Sequence, residues 1–220
     1  MRRSNQNESQ GPFYTAEIQV IGKGVVQVQP DTALLRVGVE TEDASLQKAQ
    51  RQNAQQSENL LQALYGLGID KDSVATVDYS IYPQYDYQTS GSSQIKGYQV
   101  RHLFLVTIKP PSATGKVIDE AVNSGATLVQ SIEFTVNDTG PAEQQALQLA
   151  YQDAYTKASI LAQAAGYGNE YQLVPVQFYE ELEQTSVPVP FQSMVKSAAT
   201  PVTPPSTLSV SASIGVIFHL

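Results

Sequence analysis

The 220-residue sequence contains no cysteine and no tryptophan, and only two of its residues are histidines. The missing cysteines exclude disulfide bonds and thiol chemistry. A chain of this length can nevertheless bury a sizeable hydrophobic core without cross-links or a metal. No run of apolar residues is long enough to cross a bilayer, so we expect no integral membrane segment.

Positive charge is also scarce. The chain has 13 Lys and Arg against 21 Asp and Glu, which gives a formal net charge of −8 and a pI near 4.7. The lysines and arginines form no cluster that would offset this charge locally. Because an acidic surface repels phosphate backbones, we expect no nucleic-acid partner.

The N-terminal stretch "MRRSNQNESQGPFY" has two arginines, as an export signal does, but polar residues follow where the apolar region of a signal would be. Either the chain is not exported, or a signal was removed before this sequence begins. We predict a flexible segment over residues 1–15 and a single domain over residues 16–220.

The patterns that bind nucleotides are incomplete. Gly22 and Gly24 are followed by Gln27 instead of the third glycine of a dinucleotide fingerprint, and a P-loop at Gly115 lacks its other residues. The residues around the first glycines alternate as strands do, with a turn at 29–31, which predicts a β-hairpin over 18–41 with the glycines at a bulge or twist. His102 and His219 lie in separate strand patterns. We therefore predict no cofactor, no metal and no catalytic residues.

Hydrophobic periodicity predicts an α+β fold built mainly of antiparallel hairpins, with about three helices. A stripe through Leu46, Asn53 and Leu64 predicts a helix over about 43–67, and the alanines after Pro141 predict a helix that lies close against its neighbour. The remaining elements are a short helix over 112–123 and strands over 74–87, 95–109, 128–137, 171–180 and 208–220. Residues 181–206 are rich in Pro, Ser and Thr, which is typical of an irregular excursion.

Tyrosines are concentrated in the long hairpin that strands 74–87 and 95–109 predict. Tyr82, Tyr85 and Tyr87 approach its tip, and Tyr98 faces them from the second strand, with Tyr79 nearer the base. Aromatic residues are common in strands, but a hairpin tip needs few of them for a core. Exposed aromatics are frequent anchors of protein interfaces, so we predict that this hairpin protrudes and contacts other copies or a partner.

Several segments of the sequence resemble one known family. They are "VIGKGVVQVQPDTALLRVGVET", "LYGLGIDKDSVATVDYSIYPQY", "IKGYQV", "VIDEAVNSGATLVQSIEFTV", "AYQDAYTKASILAQAAGYG" and "LSVSASIGVIFHL". In order and spacing they are similar to the SIMPL domain family, which includes YggE and the periplasmic immunogenic protein of brucellae. The resemblance covers residues 16–220.

The resemblance implies an α+β domain whose bacterial members are mostly exported, form rings in at least one case, and are linked to oxidative or envelope stress. It implies no catalytic residues. Two hypotheses follow. In the first, the chain is a non-enzymatic oligomeric protein of the envelope or of stress defence. In the second, it is an enzyme or a small-ligand binder with a cleft near the Pro-rich excursion. The compartment also has two alternatives, the envelope or periplasm and the cytoplasm.

Overall fold

The computed structural model describes residues 16–86, 94–167, 172–181 and 201–220. Most of the predicted Pro-rich excursion and the segment 1–15 lie outside the described residues. In chain order the elements are β1 (Glu17–Val28), β2 (Thr32–Asp43), α1 (Leu46–Gly66), β3 (Val74–Asp86), β4 (Gln94–Ile108), α2 (Thr114–Asn123), β5 (Leu128–Thr135), α3 (Gly140–Ala164), β6 (Val174–Glu181) and β7 (Leu208–His219). Two antiparallel sheets and three α-helices confirm the predicted α+β class.

The described residues fall into two compact units. Of these residues, the central unit comprises 28–86, 94–138 and 201–208, and the terminal unit comprises 16–27, 139–167, 172–181 and 209–220. Each unit contains one sheet, with strand order β3-β4-β2-β5 in the central unit and β1-β7-β6 in the terminal unit.

The central unit packs α1 and α2 on its four-stranded sheet. Strand β2 pairs with both β4 and β5, so it lies inside the sheet and every second side chain is buried. Its core consists mainly of aliphatic side chains, among them Leu35, Val37, Leu60, Leu64 and Val106. The aliphatic stripe of α1 therefore packs as the sequence predicted.

Polar residues in the middle of α1 are buried too. The Asn53 side-chain amide donates hydrogen bonds to the carbonyl oxygens of Val39 and Val100, each at 3.0 Å, and thereby joins α1 to two neighbouring strands. The Ser57 hydroxyl donates to the Asn53 side-chain oxygen at 3.3 Å. These bonds explain why a helix with so few apolar residues in its middle still packs on the sheet, because its buried polar groups have partners.

The terminal unit packs α3 against strands rich in small residues. The buried face of α3 is entirely alanine, whereas Ile160 and Leu161 on the same helix are 59% and 49% exposed. The predicted close-packed alanine helix is therefore confirmed. Leu161 lies outside the buried face, and α3 presents only methyl side chains where it approaches β1.

Gly22 and Gly24 are the residues of β1 that lie where α3 approaches this strand most closely. A Cβ atom built on Gly24 would lie 2.0 Å from the carbonyl oxygen of Ala146, and one on Gly22 would lie 2.0 Å from that of Ala150. Real Cβ atoms do not come so near to an oxygen. The two glycines thus allow the helix backbone to lie directly on β1, a different reason from the bulge that the sequence suggested.

The predicted hairpin over residues 18–41 is wrong. Strands β1 and β2 belong to different sheets, and β1 pairs with β7 from the other end of the chain. The Gln27 side chain bonds Ser209 while Glu17 contacts His219, as expected for strands that run in opposite directions. Residues 29–31, between β1 and β2, have no regular secondary structure.

Asp153 fastens α3 to β1 by polar contacts. Its carboxylate accepts hydrogen bonds from the Lys157 ammonium at 2.6 Å and from the Lys23 backbone amide at 2.8 Å. The Lys157 ammonium also donates to the Ile21 carbonyl at 2.9 Å. The hydrogen bond from Lys157 is the main cause that lowers the pKa of Asp153, and the bond from the Lys23 amide adds to it.

Candidate interaction surface

Strands β3 and β4 form the long hairpin that the sequence predicted. They pair from Val74 with Val106 at the base to Asp86 with Gln94 near the tip. The register shifts at two irregularities, between Thr76 and Asp78 and between Gln84 and Tyr85. Tyr87, one of the predicted interface residues, lies outside the described residues.

The tyrosines of β3 present large aromatic surface to solvent. Tyr79, Tyr82 and Tyr85 are 51%, 52% and 43% exposed, and Ile95, which pairs with Tyr85, is 51% exposed. Tyr98 is half-buried and pairs with both Pro83 and Asp43. Tyr98 therefore belongs to the body of the sheet, whereas Tyr82 and Tyr85 lie further toward the tip with much of their rings uncovered.

The exposed tyrosines do not share one face of the hairpin. Side chains alternate along a strand, and the irregularity between Gln84 and Tyr85 has its extra residue, Lys96, on β4, so alternation continues along β3. Tyr79 and Tyr85 therefore lie on one face and Tyr82 lies on the other. Their pairing supports this, because Tyr82 pairs with Gln99, whereas Tyr79 pairs with His102. The odd spacing between residues 82 and 85 was the sequence signal for opposite faces. The exposed tyrosines therefore do not form the single cluster that their concentration in the sequence suggests.

His102 is packed at the base of the hairpin as an aromatic side chain. Its ring lies 4.1 Å from the Phe104 ring and 5.1 Å from the Tyr79 ring, measured between centroids. Its Nε2 atom is 3.1 Å from the Thr76 hydroxyl. Burial lowers the pKa of His102, and the nearby Asp78 carboxylate opposes that effect. These contacts favour a neutral ring that stabilises the base of the hairpin.

A polar network on the opposite face joins the hairpin to β2. The Glu42 carboxylate accepts hydrogen bonds from the side-chain amides of Gln84 at 2.7 Å and Gln99 at 3.0 Å. Arg101 and Asp78 approach to 3.7 Å on the same face. Sequence analysis missed this network, because it depends on the register of three strands. Because Gln99 pairs with Tyr82 and Gln84 lies between Tyr82 and Tyr85, the network fixes the hairpin at the level of its exposed tyrosines.

The second histidine, His219, lies in the terminal unit. Its Nε2 atom is 2.9 Å from a carboxylate oxygen of Glu17, across strands β7 and β1. Within residues 16–86, 94–167, 172–181 and 201–220, no three His, Asp or Glu side chains gather as metal ligands would. The geometry of each histidine is accounted for by its contacts within its own sheet.

These features define a class of protein: an α+β chain with two antiparallel sheets, one of which extends into an aromatic hairpin. No helix in the described part of the chain combines the length and the hydropathy needed to span a bilayer.

The chain belongs to the SIMPL family, described as a protein of unknown function (DUF541), whose family model matches residues 18–218. It is 26% identical to the 26 kDa periplasmic immunogenic proteins of Brucella melitensis and Brucella abortus, over 97% of this chain and 88% of each relative. It is 29% identical to the uncharacterized protein YggE of Edwardsiella ictaluri, over 66% of this chain and 61% of that relative. The resemblance seen in the sequence is thus confirmed, and none of these names describes an enzymatic activity.

Proposed function

We propose that this chain is a non-enzymatic, homo-oligomeric protein that acts through contacts of its β3-β4 hairpin. One observation carries the proposal: Tyr79, Tyr82 and Tyr85 are each roughly half exposed on a hairpin that polar contacts hold in place. Aromatic side chains on a fixed element bury much apolar area in an interface and lose little conformational entropy.

The opposite faces of Tyr82 and Tyr85 give the proposed contact a particular geometry. A neighbouring copy that covers only one face of the hairpin would leave one of the two rings in water. We infer that a single neighbour covers both faces of the hairpin, or that the hairpin contacts two neighbours, one on each face. Either arrangement uses different surfaces on the two copies, and such contacts close into rings when the rotation permits.

The energetics of assembly depend on salt. Burial of the tyrosines contributes on the order of 25 cal/mol per Å² of apolar area. Subunits that each have a formal charge of −8 repel one another, and this repulsion falls when salt screens it. We therefore expect a larger assembled fraction at higher ionic strength.

The proposed role is that of an envelope-associated or stress-defence assembly, and the proposed location is the periplasm or the cell envelope. Its support is the printed name of the Brucella relatives, which places those proteins in the periplasm. Fractionation of the native host cells tests this part of the proposal. Recovery of the chain with cytoplasmic markers would contradict it.

The decisive test is the oligomeric state of a Tyr82→Ser/Tyr85→Ser variant, measured by native mass spectrometry and analytical ultracentrifugation. We expect the wild type to assemble and the variant to shift toward monomer, with an unchanged circular dichroism spectrum. Tyr167→Ser is the matched control, because Tyr167 is 47% exposed and lies in the terminal unit. A monomeric wild type, or a double variant that assembles like the control, would refute the proposal.

The single variants separate the two faces. If both faces of the hairpin are covered, by one neighbour or by two, Tyr82→Ser and Tyr85→Ser should each weaken assembly. If only one substitution weakens assembly, a single face of the hairpin is used. That result would retain self-association and discard the inferred geometry.

A further inference from the structure

The sheet of the terminal unit ends at β1. Among the strands that the structure describes, β1 pairs only with β7, so one long edge of β1 meets no other strand. The strand has 12 residues and no proline, and Lys23 is the only charged residue between positions 18 and 28. Ile21 and Val25 are 40% and 52% exposed. An edge of this kind is a template for pairing with another chain unless some feature protects it.

The register of β1 with β7 shows which backbone groups lie on this edge. The Leu220 amide donates to the Ala16 carbonyl at 3.0 Å, and the side-chain contacts of Glu17 and Gln27 with β7 fit the same register without a shift. Backbone groups alternate between the two sides of a strand, so the even-numbered residues of β1 bond β7. The N–H and C=O groups of its odd-numbered residues point away from β7, and we call them the outer edge of β1.

Two groups of the outer edge are bonded by side chains of α3. The Lys23 amide donates to the Asp153 carboxylate at 2.8 Å, and the Ile21 carbonyl accepts from the Lys157 ammonium at 2.9 Å. These two backbone groups flank Gly22, and an antiparallel strand added to β1 would need both of them. Because Asp153 and Lys157 are also 2.6 Å apart, each side chain holds the other in position.

The close approach of α3 to β1 allows these side chains to reach the outer edge. A Cβ atom on Gly22 would lie 2.7 Å from the Cβ atom of Ala154, so the helix lies directly on the strand at this point. Asp153 and Lys157 each precede a buried alanine of α3 and are themselves 36% and 45% exposed. They therefore lie at the margin of the contact, where the outer edge of β1 begins.

We propose that the Asp153–Lys157 pair protects the outer edge of β1 against pairing with the same edge of a second copy. Two antiparallel β1 strands related by a two-fold axis present identical backbone groups to each other, so a second copy is the partner that this edge suits. Such pairing would have to replace two charge-assisted hydrogen bonds, which are stronger than those between neutral backbone groups. This inference is independent of the proposed self-association through the hairpin.

The test is the Asp153→Ala/Lys157→Ala variant of the full chain. It removes both bonds to the outer edge and one charge of each sign, so the net charge does not change. Alanine favours helix, so α3 should persist by circular dichroism. Compared with the wild type at the same protein concentration, we expect its weight-average mass in analytical ultracentrifugation to rise by a factor of up to about two. Hydrogen exchange should slow at the odd-numbered amides of β1.

Gln152→Ala/Thr156→Ala is the matched control, because it removes two exposed polar side chains of α3 at the same spacing. It should sediment as the wild type does. Adding Val25→Pro to the Asp153/Lys157 variant should abolish the extra association. The amide of residue 25 belongs to the outer edge, so proline there removes an edge donor without removing a bond to β7.

Three results would overturn the proposal. In the first, the Asp153/Lys157 variant sediments like the wild type. In the second, it associates further but exchange in β1 does not slow. In the third, the extra association persists with Val25→Pro, which would show that it arises elsewhere in the chain.

Discussion

The helices α1 and α3 cover their sheets by two different kinds of packing. In the central unit, α1 buries Leu60 and Leu64 together with the hydrogen-bonded Asn53 and Ser57. In the terminal unit, α3 buries six alanines, and the strand opposite contributes Gly22 and Gly24. The first interface is filled by side-chain volume, whereas the second brings the backbones of α3 and β1 together beside a smaller cluster that includes Val216 and Phe218.

This difference determines which substitutions each unit tolerates. A core of large side chains loses stability when atoms are removed, because a cavity remains. A close contact between the backbones at glycine and alanine positions loses stability when atoms are added, because the added atoms clash with the neighbouring element. The comparison thus predicts that the contact between α3 and β1 is most sensitive to enlargement and that the central core is most sensitive to loss of a side chain.

The largest expected effect comes from Gly24→Ala. The added methyl carbon would lie 2.0 Å from the Ala146 carbonyl oxygen and 2.7 Å from the Ala150 nitrogen, so strand and helix must separate. We expect the free energy of unfolding to fall by about 3 kcal/mol or more, at the upper end of overpacking costs. Chemical denaturation measures the loss. Hydrogen exchange should locate it in α3 and β1.

Gly66→Ala is the control for this substitution. Gly66 has no heavy atom within 4 Å of the new methyl position. Alanine also favours helix by about 1 kcal/mol over glycine, so this variant should be as stable as the wild type or more stable. Equal stabilities of the Gly24 and Gly66 variants would show that the close approach of α3 to β1 is not essential.

The next effect is expected from Asn53→Ala in the central unit. This change leaves the carbonyl oxygens of Val39 and Val100 without their 3.0 Å donors and creates a cavity under α1. We expect a loss of about 2–3 kcal/mol in the free energy of unfolding. Gln52→Ala, at an exposed position of the same helix, should change it by less than about 0.5 kcal/mol. A comparable loss in both variants would contradict this reading of the interface.

The sequence was sufficient for those features that depend on local spacing. It predicted the helix stripe through Asn53, the alanine helix and the β3-β4 hairpin, because each follows from a period of 3.6 or 2. It was insufficient for strand pairing: the partner of β1 is β7, which no pattern near residue 28 can indicate. The faces of Tyr82 and Tyr85 could have been read from their spacing. The Glu42 network could not, since it combines residues from three strands.

The smallest effect is a pH dependence that arises from the central unit. His102 contacts Thr76, Tyr79 and Phe104, and burial lowers its pKa below the ordinary value of 6.5. The unfolded chain therefore binds this proton at higher pH than the folded chain does. The stabilisation by neutral His102 is complete above about pH 6.5 and is lost as the pH falls through that value toward the lower folded pKa.

The His102→Phe variant isolates this contribution, because phenylalanine retains a ring against Tyr79 and Phe104 but does not titrate. We expect the wild type to lose more stability than the variant between about pH 7 and about pH 5, by urea denaturation at fixed ionic strength. The difference should be modest, since the ring is not fully buried and Asp78 favours its protonation. Parallel profiles for the two proteins would show that His102 titrates alike in the folded and unfolded chains.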